Sequence, residues 1–299
     1  MSNRPSKKRS SSARVQAAAK ANKSSNTPWI IGIGVLLVIG IALIVAVAGG
    51  SSSSGDIVGR KDAPTALVTK VTTVPSSVIS TVGVGTSTPL PQPINGKSIA
   101  QDDKPGILYI GAEYCPYCAT ERWAMVNALA RFGTFTGLKI TNSDPSDVHP
   151  GTKTFSFYKS TYTSDHIVFT PVEIQNNSRG TLETPTADQS QLLDKYGSNG
   201  SIPFIYFDGK YVITGATYDV SVLDGKSWDQ IASALSDPSS AIAKGAIGAA
   251  NAMTATICIL TNDQPSATCK VPAIQTLEQQ IKSQSSTTTT TNPNSSSNG

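Results

Sequence analysis

The chain has 299 residues, with 24 Lys and Arg against 20 Asp and Glu and a formal net charge of +4. Seven of the cations (Arg4, Lys7, Lys8, Arg9, Arg14, Lys20 and Lys23) lie in the first 28 residues, which contain no acid, so the remainder is net acidic. A nucleic-acid-binding domain needs its basic residues spread over the folded part, and their absence excludes nucleic acid as a partner.

In chain order, residues 1–28 read as a basic cytosolic tail. Residues 29–48, "WIIGIGVLLVIGIALIVAVA", carry no charge. Twenty residues at about 1.5 Å each reach roughly 30 Å, the thickness of a bilayer's hydrocarbon layer. A transmembrane helix from Trp29 to Ala48 is therefore expected, with the basic side in the cytosol. The competing reading is a signal peptide cleaved after Ala48, where Ala46-Val47-Ala48 matches a small-residue cleavage pattern. In both cases the main domain is extracytoplasmic. With the anchor kept, the protein is a single-pass protein of the cell membrane.

Residues 49–105 are expected to be linker and short helices. Apolar residues recur at helical spacing over 63–82, with Pro75 placed to open a second piece. Residues 83–106, rich in Pro, Gly, Ser and Thr, read as linker or loop. A buried strand is predicted over 106–114 and an amphipathic helix over 116–132, stopped by Gly133. Further strands are predicted at 138–141 and 167–174. Between them 142–165 carries turn residues and aromatics and reads as an insertion able to cover one side of the active face. A helix is predicted over 185–196 and a hairpin over 202–215, joined at Asp208-Gly209. Residues 226–260 read as helical and Ala-rich, with a second helix beginning after Pro238. The Ser/Thr/Asn tail, 283–299, has no means of packing a core.

The chemistry concentrates in "GAEYCPYCATERW", residues 111–123. In the order strand, Cys-Pro-Tyr-Cys, helix, Cys115 falls at a helix N-terminus, near unpaired N–H groups and the positive end of the dipole. That setting favours thiolate, the nucleophile of disulfide exchange. Pro116 suits the first helical position because it has no N–H to leave unpaired. Cys118, one turn further in, is placed to attack a mixed disulfide on Cys115 and release the partner.

These residues resemble the active site of the thioredoxin/glutaredoxin superfamily. Ala112-Glu113-Tyr114-Cys115 is similar to the thioredoxin lead-in, and Cys-Pro-Tyr-Cys to the glutaredoxin form. Ser201-Ile202-Pro203 before the hairpin is a second match. The resemblance implies an α/β thioredoxin-like fold, a central mixed sheet flanked by helices, over 106–236, with a C-terminal helical extension over 237–282. It implies a cis bond before Pro203 and a substrate-binding role for Ile202 and Pro203, beside Pro116 and Tyr117, with Cys115 and Cys118 catalytic. Its partners would be exported thiol or disulfide client proteins and a membrane redox partner, with no cofactor. The anchor together with "CPYCATERWAMVNALARFGTF" also resembles an uncharacterised family of anchored, exported thioredoxin-like proteins. One departure is plain: thioredoxins keep a buried Asp beneath the cysteines, and Tyr109 stands at that position.

Other readings remain open. The Cys115/Cys118 pair as a structural bridge would make the domain a binding or scaffold module. A zinc site would need Cys258 and Cys269 as well, and their separation is not ligand-like. A copper site would recruit His149 or His166 for metal delivery; the reading adopted has no metal. Cys258 and Cys269 are expected to form a structural disulfide that fastens the C-terminal helix, with a second redox pair as the alternative.

Overall fold

The computed structural model describes residues 59–288. The predicted basic tail, the transmembrane helix over 29–48 and the last residues of the tail lie outside the described residues. The chain begins with strand β1 (Lys61–Asp62) and helices α1 (Thr65–Thr72) and α2 (Ser76–Val82), each helix opened by a proline at its N-cap. Then come β2 (Gln92–Pro93), β3 (Gly106–Gly111), α3 (Pro116–Leu129), β4 (Thr134–Thr136), β5 (Lys139–Asn142), β6 (Lys153–Ser156), β7 (Thr161–Thr163) and β8 (Val168–Glu173). They are followed by α4 (Ala187–Tyr196), β9 (Phe204–Phe207), β10 (Tyr211–Thr214), a 3-10 turn (Val220–Leu223), α5 (Trp228–Ala234), α6 (Ala241–Leu260), α7 (Ser266–Cys269) and α8 (Pro272–Thr288).

Local chemistry explains the boundaries. α4 and α5 each open on a capping box, Thr186 with Gln189 and Ser227 with Gln230, which satisfies backbone donors that a helix start leaves free. The turn between β9 and β10 places Asp208 and Gly209 at φ 43° and 75°, the left-handed conformations that a tight hairpin demands.

The architecture is mixed α/β. A five-stranded mixed sheet runs in the order β2-β10-β9-β3-β8, with β3 parallel to β8 and every other pairing antiparallel. Both edge strands contain a proline, Pro93 in β2 and Pro171 in β8, a position where a missing ladder N–H is tolerated. Alternation sends Ile107 and Tyr109 to one face, against α1, α3, α5 and α6. Leu108 and Ile110 go to the other, where Leu192, Leu193 and Tyr196 of α4 cover them. A three-stranded sheet, β1-β5-β6, and a two-stranded one, β4-β7, flank this core. α6 is the one helix among the described residues long and apolar enough to cross a membrane, and it is packed almost entirely inside the fold.

The structure departs from the sequence expectations in four places. Residues 142–165 are not loop throughout: past the turn 144–151 they supply β6 and β7, and Phe155 and Phe157 are buried in the core against Trp123 and Tyr109. The stretch 83–106 contributes β2, which pairs with β10 along the sheet edge. α3 has no polar face turned to solvent, because Glu121, Arg122 and Asn127 are buried with every other residue of the helix except Tyr117. α8 extends through Thr288, so the tail predicted from 283 is helical in its first six residues. One apolar cluster draws Leu67 and Val71 of α1, Trp123 of α3 and Ile274, Leu277 and Ile281 of α8 together; the segments on either side of 106–236 share its core.

Candidate active site

Sheet register builds the site. Gly111 at the end of β3 pairs with Glu173 at the end of parallel β8, and Ile110 pairs with Phe204 at the start of antiparallel β9. The segments that leave β3 and enter β9 therefore meet at one edge of the sheet. The first carries Cys115 and the second Ile202-Pro203, whose peptide bond is cis. Cys115 lies 3.9 Å from the Ile202 carbonyl, to which its thiol donates.

Cys115 is the N-cap of α3, and its sulfur accepts the Cys118 backbone N–H at 3.2 Å, with Pro116 following in the first turn. Both thiols are free. Cys115 keeps 5 % of its surface exposed and Cys118 none. The hydrogen bond from the Cys118 side chain holds the Cys115 thiol below its ordinary pKa; burial opposes this, and the Cys118 N–H, the Arg122 charge and the Tyr117 N–H reinforce it. Cys118 is driven the other way. Burial, then its bond to Cys115 and that sulfur's charge, raise it well above the usual thiol value, with the Arg122 guanidinium and the Ala112 N–H opposing.

Beneath the sulfurs lies a floor of buried charge. Arg122 donates through Nε and Nη2 to both oxygens of Glu173, at 2.8 and 2.7 Å, and through Nη2 to the Ala112 carbonyl at 2.7 Å. Both side chains of this ion pair are fully buried. Glu173 also accepts the Phe157 N–H at 3.1 Å, and its own N–H donates to Glu183 at 2.7 Å. Glu113, in the lead-in to Cys115, is buried as well; it pairs with Arg60 at 2.8 Å and accepts the Ser156 hydroxyl at 2.6 Å. Tyr109 sits beside Arg122, its ring centroid 5.8 Å from the guanidinium carbon.

The rim is made by two loops. Tyr117 and Val148, 43 % and 72 % exposed, are the exposed large apolar side chains among the described residues. Val148 precedes His149, whose ring stands edge-on to Tyr117 at 6.2 Å and is held by Asp224 at 3.0 Å. On the other side Arg179 lies 4.0 Å over the Tyr114 ring and bonds Asp144 at 3.2 Å, while the Asp144 N–H donates to the Tyr114 carbonyl. The turn 144–151 of the expected insertion thus reaches the active face, although its aromatics do not.

The structure brings Cys115, Pro116, Tyr117, Cys118, Ile202 and Pro203 into one place. It leaves His166 away, ahead of β8 at the far end of the sheet. Cys258 and Cys269 are disulfide-bonded to each other, Cα atoms 5.6 Å apart, and join the end of α6 to α7. Among the described residues no three His, Cys, Asp or Glu converge as a metal site. Sequence reasoning missed Arg122, Glu173 and Asp224; it reached Glu113 only as part of the lead-in match and His149 only as a candidate copper ligand. Arg122 had a signal, since it follows Cys118 by one helical turn; its partner, 51 residues on, had none.

Residues 92–200 match a family described as a domain of unknown function, DUF929. The match takes in the Cys-Pro-Tyr-Cys segment, Arg122 and Glu173, and stops short of Ile202-Pro203. No curated protein and no solved structure matches the chain.

Proposed function

We propose that the chain is a membrane-tethered, extracytoplasmic thiol–disulfide oxidoreductase that acts on exported proteins through a thioredoxin-like domain. The observation that carries the reading is the placement of two sulfurs one turn apart. Cys115 caps the helix start, accepts the Cys118 N–H and lies by the Ile202 carbonyl, and Cys118 is fully buried behind it. This arrangement lowers the pKa of Cys115 and raises that of Cys118. The order β3, Cys-Pro-Tyr-Cys, α3, and the cis Ile202–Pro203 bond before β9, support the fold assignment. In the exchange the Cys115 thiolate attacks a client disulfide and one client sulfur leaves. Cys118 then attacks Cys115, closing the Cys115–Cys118 bond and releasing the second client sulfur as a thiol. Run backward, the same steps oxidise a client dithiol. The exposed Tyr117 and Val148 would meet the client at the rim, and the Ile202 backbone would hold its extended chain.

The burial of both sulfurs favours a second reading, a binding module whose pair stays closed as a structural bridge. A reduction potential well below about −300 mV would suit that bridge, and a higher one a working exchanger. The deciding experiment is Cys118→Ala in intact cells under thiol-blocking conditions. It should accumulate reductant-sensitive mixed disulfides that vanish when Cys115 is also replaced, and the captured partners should be exported proteins. No covalent partner removes the exchange reading; cytosolic partners reverse the proposed topology.

A further inference from the structure

Thiol exchange needs two sulfurs; it does not by itself need a buried charge behind them. Arg122 follows Cys118 by four residues in α3, so the two share one face of the helix. Its guanidinium is fixed by Glu173 and by the carbonyl of Ala112, and Ala112 packs directly on Cys115 and Cys118. Two polar atoms of this floor are fully buried and have no hydrogen-bond partner: Nη1 of Arg122 and the hydroxyl of Tyr109. The Tyr109 hydroxyl lies against the α-carbon of Gly111, where any side chain would collide with it. Gly111 adjoins Ala112, so both unpaired donors flank the same peptide segment. Native interiors leave few buried donors unsatisfied, because each is destabilising. Phenylalanine would fill the Tyr109 space without that loss.

We propose that these two donors are reserved for the resolving sulfur: Arg122 and Tyr109 are positioning residues that stabilise the anion formed on Cys118 while it attacks Cys115. The inference rests on the thiol-exchange reading. In the resting state Cys118 is a thiol. During resolution it gives up its proton, the Cys115–client bond breaks, the Cys115–Cys118 bond forms, and the proton leaves on the client sulfur. The developing negative charge is deep in the protein, where fixed donors act more strongly than in water. The titratable and charged groups whose charge is felt at Cys118 are Cys115, Tyr109, Tyr114 and Arg122, and Arg122 is the cation among them. Glu173 anchors the guanidinium through Nε and Nη2, leaving Nη1 open.

The test uses the full-length chain with its pair reduced and 5,5′-dithiobis(2-nitrobenzoate) as the probe disulfide. Attack by Cys115 releases one nitrothiobenzoate, and resolution by Cys118 releases the second. Tyr109→Phe keeps the ring and removes only the free hydroxyl. It should lower the ratio of second-phase to first-phase rates by about fivefold or more, and raise the pH midpoint of the second phase. The double variant Arg122→Met, Glu173→Leu removes both buried charges together, a replacement that buried ion pairs often tolerate. It should lower the ratio by about tenfold or more. Thermal melting checks folding, and Tyr109→Phe should melt no lower than the parent. A ratio left unchanged or raised in either folded variant overturns the proposal; if the double variant does not fold, Tyr109→Phe decides alone. Absence of the first release in the parent chain instead removes the exchange reading on which the proposal rests.

Discussion

Helices α3 and α6 lie side by side in the core, both almost wholly buried, and they manage burial in opposite ways. α3 takes Glu121, Arg122 and Asn127 inside and gives each a partner: Thr217, Glu173 and the Val71 carbonyl. α6 buries mainly Ala, Gly and Ile, and its Asn251 serves a neighbour, donating to the carbonyls of Ile79 and Gly83 where α2 ends. Small residues let other elements come close: a side chain at Gly248 would run into the Val84 carbonyl, and one at Gly245 into the Tyr218 ring. A helix that only needs to pack does it with small apolar residues. Charge taken inside costs desolvation and is kept where it does something else, and in α3 it lies within two turns of the cysteines.

The contrast can be tested from both sides. The largest effect is expected from Glu173→Gln, which leaves the Arg122 cation buried without its counter-charge. Urea titration should show about 3–5 kcal/mol of lost stability; a loss below about 1 kcal/mol would mean that water or Glu183 already compensates Arg122.

Glu121 gives the next effect and a pH signature. Burial raises its carboxyl to about 7, from an ordinary value of 4.5, against the opposing bonds from Thr217. The folded chain therefore holds this proton more tightly than the unfolded one. The stability it contributes is full below the ordinary value, and is lost as pH rises through about 7. The shift corresponds to a change on the order of 3 kcal/mol. Glu121→Gln should flatten that part of the stability–pH curve and make the variant more stable than the parent in mildly alkaline buffer. Equal slopes for the two proteins would place the ionised carboxylate comfortably in its pocket.

The smallest effect tests α6. Gly→Ala inside a helix ordinarily stabilises by about 1 kcal/mol, but Gly248→Ala should destabilise by about 1–3 kcal/mol because the new methyl meets a backbone carbonyl that cannot swing aside. A rise in melting temperature would show that the segment around Val84 is free to move off α6.

Much of the framework was legible because local signals agreed with the fold. The strand before Cys115, the helix after it, the hairpin at Asp208-Gly209 and the break at Pro75 each rest on periodicity or turn chemistry that acts over a few residues. The strands within 142–165 were hidden: two short runs among turn residues carry too little alternation to declare themselves, and only pairing with β5 and β4 makes them strands. The all-round burial of α3 was hidden too, since its charged residues read locally as a solvent face.

The sequence by itself determined the spacing of Cys115 and Cys118, the helix start that Cys115 caps and the apolar periods of the main elements, because these depend on neighbours a turn or a strand length apart. Tertiary structure alone decided that the Ile202 carbonyl faces Cys115, that Arg122 finds Glu173 and that Tyr109 keeps a buried hydroxyl without a partner. Those relations join segments far apart in the chain, and they exist only once parallel β3 and β8 and antiparallel β9 have been drawn into register.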